Sequence, residues 1–296
     1  MNEKEIEKLI EAGKIAKQAV IYAKSIIKPS MSLLEIAEKI EAKIIELGAK
    51  PAFPVNLSIN EIAAHSTPSH NTASIASGLL KVDIGAQIDG FVADTAITID
   101  LESDEENKNL IKITETALNS AVKIINSSTS LNEIGKIIEK IIKDAGFHPI
   151  TNLSGHSIEQ WKLHAGITIP NFNNSQIFPI KEGLFAIEPF STSGLGSVRD
   201  GKPSGIYSLQ KKEGNVRDPF ARQVLSFIKS EYNTLPFCSR WLYKKFGSRS
   251  LIALKRIEEA SLIRQYPQLI EISGKKVAQA EHTIIITENK IIVTTL

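Results

Sequence analysis

The chain has 296 residues, 42% hydrophobic and 23% charged, the balance of a globular protein with a sizeable core in one large domain or two small ones. Its formal net charge is only +2, and Cys238 is its one cysteine, which excludes an internal disulfide and a thiolate metal cage. The N-terminus MNEKEIEKLIEAGKIAKQ is charged throughout, unlike a signal peptide, and no apolar stretch approaches the roughly 20 residues of a membrane span. A soluble, cytoplasmic protein without a membrane partner is expected.

Residues 1–28 form the first predicted helix, with Ile6, Leu9, Ile10, Ala16, Val20, Ala23 and Ile27 at helical spacing and Gly13 on the same stripe. A second helix is predicted from Ser32, with Glu35 completing a capping box, to Gly48. A third begins near Ser103 with Glu106 as box partner. A fourth begins at Ser130 with Glu133 and stops at Gly146. The two helix pairs repeat. A shift of 98 residues superposes twelve identical residues within positions 26–51, from Ile26 on Ile124 to Pro51 on Pro149. With a two-residue gap, Asn56-Leu57-Ser58 also falls on Asn152-Leu153-Ser154. Two related halves around a pseudo-twofold axis are expected, with an active site between them.

Strands are expected at Leu79–Ala86 and Phe91–Asp100, joined by the two-residue turn Asp89-Gly90. Further strands are expected at Gly183–Phe190, Gln279–Thr287 and Lys290–Thr295. Residues 196–272 differ in character. A Gly/Ser/Pro-rich loop, GLGSVRDGKPSG, leads into helical stretches near 219–231, 239–246 and 249–260, the first capped by Asp218 ahead of Pro219. Residues 196–276 hold 16 Lys and Arg against 7 Asp and Glu, while the remainder holds 19 against 26. The segment therefore reads as a basic helical insertion within a domain made of 1–195 and 273–296.

The turn fixes a register in which Asp83 faces Ala96 and Asp94 faces Gly85. Side chains alternate along a strand, so the two carboxylates are diagonal neighbours on one face. Buried, they repel and are costly to desolvate. A divalent cation would remove that cost, whereas a solvated edge or a shared proton would also relieve it. Glu188, in GLFAIEPF, and Glu281, in VAQAEHTIIIT, occupy equally apolar strands. Two more buried carboxylates exceed what nearby basic residues could neutralise. Among six histidines, His65, His156 and His164 lie in loop-like or strand-end contexts beside apolar sequence.

These residues reach a family. The series N-x-x-x-A-H-x-T-P, D-x-G-x(8)-D-T-A, L-S-G-H-x-I, K-L-H-A-G, F-A-I-E-P-F and A-Q-x-E-H-T resembles the methionine aminopeptidases of the pita-bread metallopeptidases. The long insertion between Glu188 and Glu281, together with Tyr266-Pro267-x-Leu269, resembles type 2, and the short N-terminus the archaeal forms. The resemblance implies an α+β pita-bread fold, a curved antiparallel sheet flanked by pseudo-twofold helix pairs, with a winged-helix-like insertion. It also implies two divalent ions (Co, Mn, Fe, Zn or Ni), with Asp83 on one, His156 and Glu188 on the other, and Asp94 and Glu281 on both.

By the same resemblance Glu188 is ligand and proton shuttle, His164 stabilises an oxyanion, and His65 contacts the scissile amide and is the site of attack by fumagillin-type epoxides. Phe53, Leu163, Ile206 and Tyr266 would line the methionine pocket, with isoleucine at 206 where eukaryotic type 2 enzymes carry histidine. The implied activity is removal of the initiator methionine from nascent chains with a small second residue, by a monomer. The basic insertion could dock on ribosomal RNA, or be a solvated surface, and no DNA partner is expected. Two other readings remain. One is a proline-directed peptidase of the same fold, whose usual N-terminal domain finds no room before Ile26. The other is a non-enzymatic ribosome- or RNA-binding homologue, against which the intact ligand set argues.

Overall fold

Helix α1 runs Glu3–Ile26 and is closed at its start by Asn2, whose side chain accepts the Glu5 N–H at 3.1 Å while the Glu5 carboxylate accepts the Asn2 N–H at 2.8 Å. α2 (Leu33–Glu46) follows, capped by Ser32 on the Glu35 N–H, without the reciprocal bond that the sequence suggested. α3 spans Glu105–Ile124 and α4 spans Leu131–Asp144, where Ser130 and Glu133 form the expected box. The cap of α3 lies at Asp104, one residue beyond the expected Ser103. The Asp100 carboxylate accepts the N–H groups of Glu102 and Asp104. That turn puts Ser103 in the left-handed region at φ 59° and leaves Asp104 to cap the Asn107 N–H. The computed structural model describes residues 1–126, 128–288 and 290–296.

The repeat is visible in three dimensions. α1 and α2 pack on the hairpin Leu79–Ile88 and Phe91–Asp100, burying Ile36, Ile40 and Ile44 with Leu80, Val82 and Ile84. α3 and α4 bury the twofold-related Ile134, Ile138 and Ile142 against Phe185, Ile187 and Ile284. Each such side chain contributes roughly 1.5–3 kcal/mol when removed from water. Both α2 and α4 end before a glycine at positive φ, Gly48 at 96° and Gly146 at 83°.

The hairpin carries Asn56–Ile59 on one side and Lys50–Pro51 beyond it. In the second half, Gly183–Ile187 pairs with Ser154–Ile158 and His282–Ile286, with Thr168–Pro170 and Ile291–Val293 at the edges. A short sheet of His148–Pro149, Phe190–Thr192 and Val277–Gln279 bridges the two. Threonine hydroxyls fasten the halves together. Thr283 Oγ1 donates to Asp94 O at 2.7 Å and accepts the Asp94 N–H at 2.8 Å, and Thr98 does the same for Gln279. Thr95 Oγ1 donates to Glu281 O at 2.9 Å. α1 lies against the C-terminal segment at Gly13, where a Cβ would overlap Thr294, so the glycine on that stripe is a point of close approach.

The strands expected at Gly183–Phe190 and Gln279–Thr287 are each interrupted. The first breaks at Glu188-Pro189, because proline has no N–H to pair; the second breaks at Ala280-Glu281. In the insertion, α5 (Pro219–Glu231), α6 (Ser239–Phe246) and α7 (Arg249–Glu259) lie where the spacing placed them, with Asp218 capping α5. The Gly/Ser/Pro-rich stretch before them is not a loop. Val198–Leu209 is a 12-residue strand paired with Ile263–Glu271 and with Phe237–Cys238. Its register slips between Asp200 and Pro203 and again before Tyr207, so glycine and proline mark bulges rather than an irregular segment. Ile263–Glu271 also pairs with Ile62–Ala64 of the first half. Among the described residues no helix is long and apolar enough to cross a membrane.

Candidate metal centre

One cavity of about 200 Å³ lies where the halves and the insertion meet, and all eleven residues singled out in the sequence line it: Phe53, His65, Asp83, Asp94, His156, Leu163, His164, Glu188, Ile206, Tyr266 and Glu281. The hairpin supplies two of them in the expected register, Asp83 opposite Ala96 and Asp94 opposite Gly85. His156 stands on Ser154–Ile158, opposite Ala186. Glu188 and Glu281 sit at the two strand interruptions, where the main chain leaves regular pairing and the side chain turns into the space between the halves. The Glu281 N–H still donates to Ala96 O at 3.0 Å, which holds it beside the hairpin.

Asp94, His156 and Glu281 each bring a donor atom within 4.8 Å of the others. His156 Nε2 lies 3.7 Å from Asp94 Oδ2 and 3.5 Å from Glu188 Oε1. Burial raises the Asp83 carboxyl to about 7. It also pushes Asp94, Glu188 and Glu281 well above the carboxylate range, and the neighbouring carboxylates push them the same way. His156 is driven down to about 3, first by burial and then by His164, so it is a neutral imidazole with a free lone pair. Among the described residues no Lys or Arg pairs with any of the four carboxylates. Lys81 is buried two positions before Asp83, but its ammonium donates to Asn60 O at 2.6 Å.

The donor set fits a metal. Asp83 Oδ1, Asp94 Oδ1 and both Glu281 oxygens are buried without a hydrogen-bond partner. Such atoms are expensive unless protonated or coordinated. Four carboxylates and one neutral imidazole suit hard or borderline divalent ions.

The rest of the wall divides into polar and apolar parts. His65 follows Ile62–Ala64 with φ 58°, has its Nδ1 buried without a partner, and is lowered to about 4, chiefly by burial. Its ring lies 5.2 Å from that of Tyr266. His164, more exposed, packs edge-on against His156 at 4.4 Å. Phe53, Leu163 and Ile206 are buried. Gly85 makes room for Phe53, since a Cβ at 85 would overlap the phenyl ring. Asn56, Asn152 and Gln279 also line the cavity and were not singled out in the sequence. A signal existed: Asn56 and Asn152 are matched residues of the repeat, and Gln279 stands in the A-Q-x-E run.

The model of metallopeptidase family M24 matches residues 7–288. The chain is 48% identical to a methionine aminopeptidase of Pyrococcus abyssi, over 98% of this chain and 99% of that protein. It resembles the solved methionine aminopeptidase of Thermotoga maritima with a TM-score of 0.72 at 23% identity, covering 100% of this chain and 98% of that one. It also resembles the structure of a thermophilic Arx1 with a TM-score of 0.84 at 16% identity, covering 99% and 91%. The two structural likenesses speak for the pita-bread fold and nothing finer.

Proposed function

The chain belongs to metallopeptidase family M24, and on that premise we propose that it is a methionine aminopeptidase, removing the initiator methionine from proteins and peptides whose second residue is small. The observation that carries the reading is the gathering of four carboxylates and a neutral imidazole in one cavity beside His65, His164 and an apolar wall.

In this reading Asp83, Asp94, His156, Glu188 and Glu281 would hold two divalent ions (Co, Mn, Fe, Zn or Ni), Asp83 serving one, His156 and Glu188 the other, and Asp94 and Glu281 both. Bound there, such ions lower the pKa of water toward neutrality and polarise the scissile carbonyl. Glu188, which lines the cavity beside His156, would accept the proton of the attacking water as a carboxylate and pass it to the leaving amine. His164, at the more open side, donates to the oxygen on which charge develops. His65 contacts the scissile amide. Phe53, Leu163, Ile206 and Tyr266 take the unbranched methionine side chain, and the confined space favours a small residue after it.

The activity test compares Met-Gly-Met-type peptides with X-Pro dipeptides. Methionine release is expected, and a preference for X-Pro would assign a proline-directed peptidase instead. Asp94→Ala and Glu281→Ala should each abolish activity and metal retention with the circular dichroism unchanged; retained activity in either would remove the shared-ligand assignment. Metal analysis of protein purified without added ions, followed by reconstitution, identifies the ion.

The partners are the N-termini of nascent chains in the cytoplasm, met by a monomer. The basic segment 196–272, taken as a subdomain inserted in 1–195 and 273–296, docks the enzyme on ribosomal RNA by charge. Salt-sensitive co-sedimentation with ribosomes, lost when Lys244, Lys245 and Arg249 are neutralised together, is the expected result. Absence of association at low salt would end this part of the proposal.

A further inference from the structure

The loop that carries His65 is gripped by the insertion, and the centre of the grip is Arg240. This residue lies at the start of α6 and is completely buried. Its two terminal nitrogens each donate to one oxygen of Glu41 on α2 at 2.7 Å, the bidentate arrangement that fixes a guanidinium in direction as well as place. So held, its Nε donates to Pro68 O at 3.1 Å and its Nη2 reaches Thr67 Oγ1 at 3.4 Å. Thr67 Oγ1 donates onward to Val55 O at 2.9 Å, and the Val55 N–H returns to Glu41 Oε1 at 3.3 Å. The circuit closes on itself. It joins the Phe53–Asn56 wall of the cavity to the segment that begins at His65.

Two further contacts from the insertion hold the same loop. The Tyr243 ring, one turn along α6, stacks on His70 with centroids 3.7 Å apart and planes 13° from parallel. Gln268, on Ile263–Glu271, donates to Ser66 Oγ at 3.3 Å. His65 thus has a neighbour gripped on its C-terminal side and a backbone φ of 58°, a conformation that a non-glycine residue holds only when its surroundings impose it. The twofold-related glutamate makes the contrast. Glu139 also accepts a loop N–H, from Asn173 at 2.9 Å, but it is partnered by Lys143 on its own helix, and among the described residues no hydrogen bond from 196–272 reaches it. The half that carries His65 is the one that receives the arginine.

We propose that Arg240, anchored on Glu41, is a positioning residue for catalysis: through Thr67 and Pro68 it sets the place of the His65 imidazole, so the insertion completes the catalytic histidine loop. The inference rests on the reading of His65 as a substrate-contacting group.

The test uses metal-loaded full-length enzyme and three variants. Thr67→Val removes the hydroxyl relay at nearly constant volume, Tyr243→Leu removes the stack, and the paired change Glu41→Gln with Arg240→Met leaves no unpaired buried charge. Each should lower kcat at least tenfold with KM and bound metal unchanged. Thr67→Val should have no further effect in a His65→Ala background, because interacting sites are non-additive. A second readout does not need turnover: alkylation of His65 by a fumagillin-type epoxide, followed by intact mass, should slow by a similar factor in Thr67→Val. If Thr67→Val and Tyr243→Leu keep full kcat and alkylation rate, or if the Thr67→Val loss persists in the His65→Ala background, the positioning role is wrong and the reading of His65 is untouched. If His65→Ala is itself fully active, the reading of His65 fails and the inference falls with it.

Discussion

At the cavity, four carboxylates and a neutral imidazole lie closer together than water would let them. The sign of the resulting pH dependence follows from the direction of their shifts. Asp83 titrates at about 7 in the folded protein against roughly 4 when unfolded. A carboxyl with a raised folded value stabilises the fold fully below pH of about 4, and that contribution is lost as pH rises through 7. Asp94, Glu188 and Glu281 act in the same direction. The metal-free protein should therefore lose Tm between pH 5 and pH 8, and added divalent ion should restore more at pH 8 than at pH 5. Scanning calorimetry of chelator-treated and reconstituted protein measures this; an equal increment at both pH values would sink the idea that these groups bind the ion in place of protons. The aspartate pair was legible because a two-residue turn fixes a register outright. Asn56 and Gln279 carried a weaker signal, the repeat for one and the A-Q-x-E run for the other, since a neutral amide in an apolar strand gives no charge to be explained. The cavity puts both beside the acids.

The interruptions in otherwise regular elements are what aim Glu188 and Glu281 into the cavity. Glu188 and Glu281 read as strand residues because their neighbours are largely apolar, yet each sits where the regular ladder is interrupted, Glu281 keeping only an isolated bridge to Ala96. Periodicity reports burial and cannot report a break in the ladder. The same limit explains the stretch before α5, where Gly201, Pro203 and Gly205 suggested a loop and the structure has a bulged strand. Gly85 offers a test at this level. Gly85→Ala would push against the Phe53 ring, so KM for methionyl peptides should rise several-fold with little change in Tm; a normal KM would mean that Phe53 does not form the pocket wall. The helices were legible to within a residue or two, since the isoleucine stripes of α2 and α4 bury as their spacing implies. Ile138→Ala, at the centre of the α4 stripe and fully buried, should cost about 2–5 kcal/mol in denaturant titration.

For the molecule as a whole, two matching halves and the segment 196–272 meet at one cavity, and the buried pair of Arg240 with Glu41 ties that segment to the first half. Glu41→Ala alone strands a guanidinium in the interior and should cost about 3–5 kcal/mol. Equilibrium unfolding in denaturant would show it, and a loss below about 1 kcal/mol would place the pair in contact with solvent in solution. The 98-residue repeat announced the two halves, but not the threonine hydroxyls that join them, because hydroxyl bonds to distant main chain leave no local pattern. Those bonds have a consequence for synthesis. Thr283 closes on Asp94 and Glu281 on Ala96, and Glu281 is made 187 residues after Asp94. At about 5–20 residues per second, the first acids wait roughly 10–40 s for the last. Until then a nascent chain holds the acidic side chains of the hairpin without the later residues that line the cavity with them. The cavity cannot assemble until the strand that carries Thr283, and Glu281 just before it, has been made.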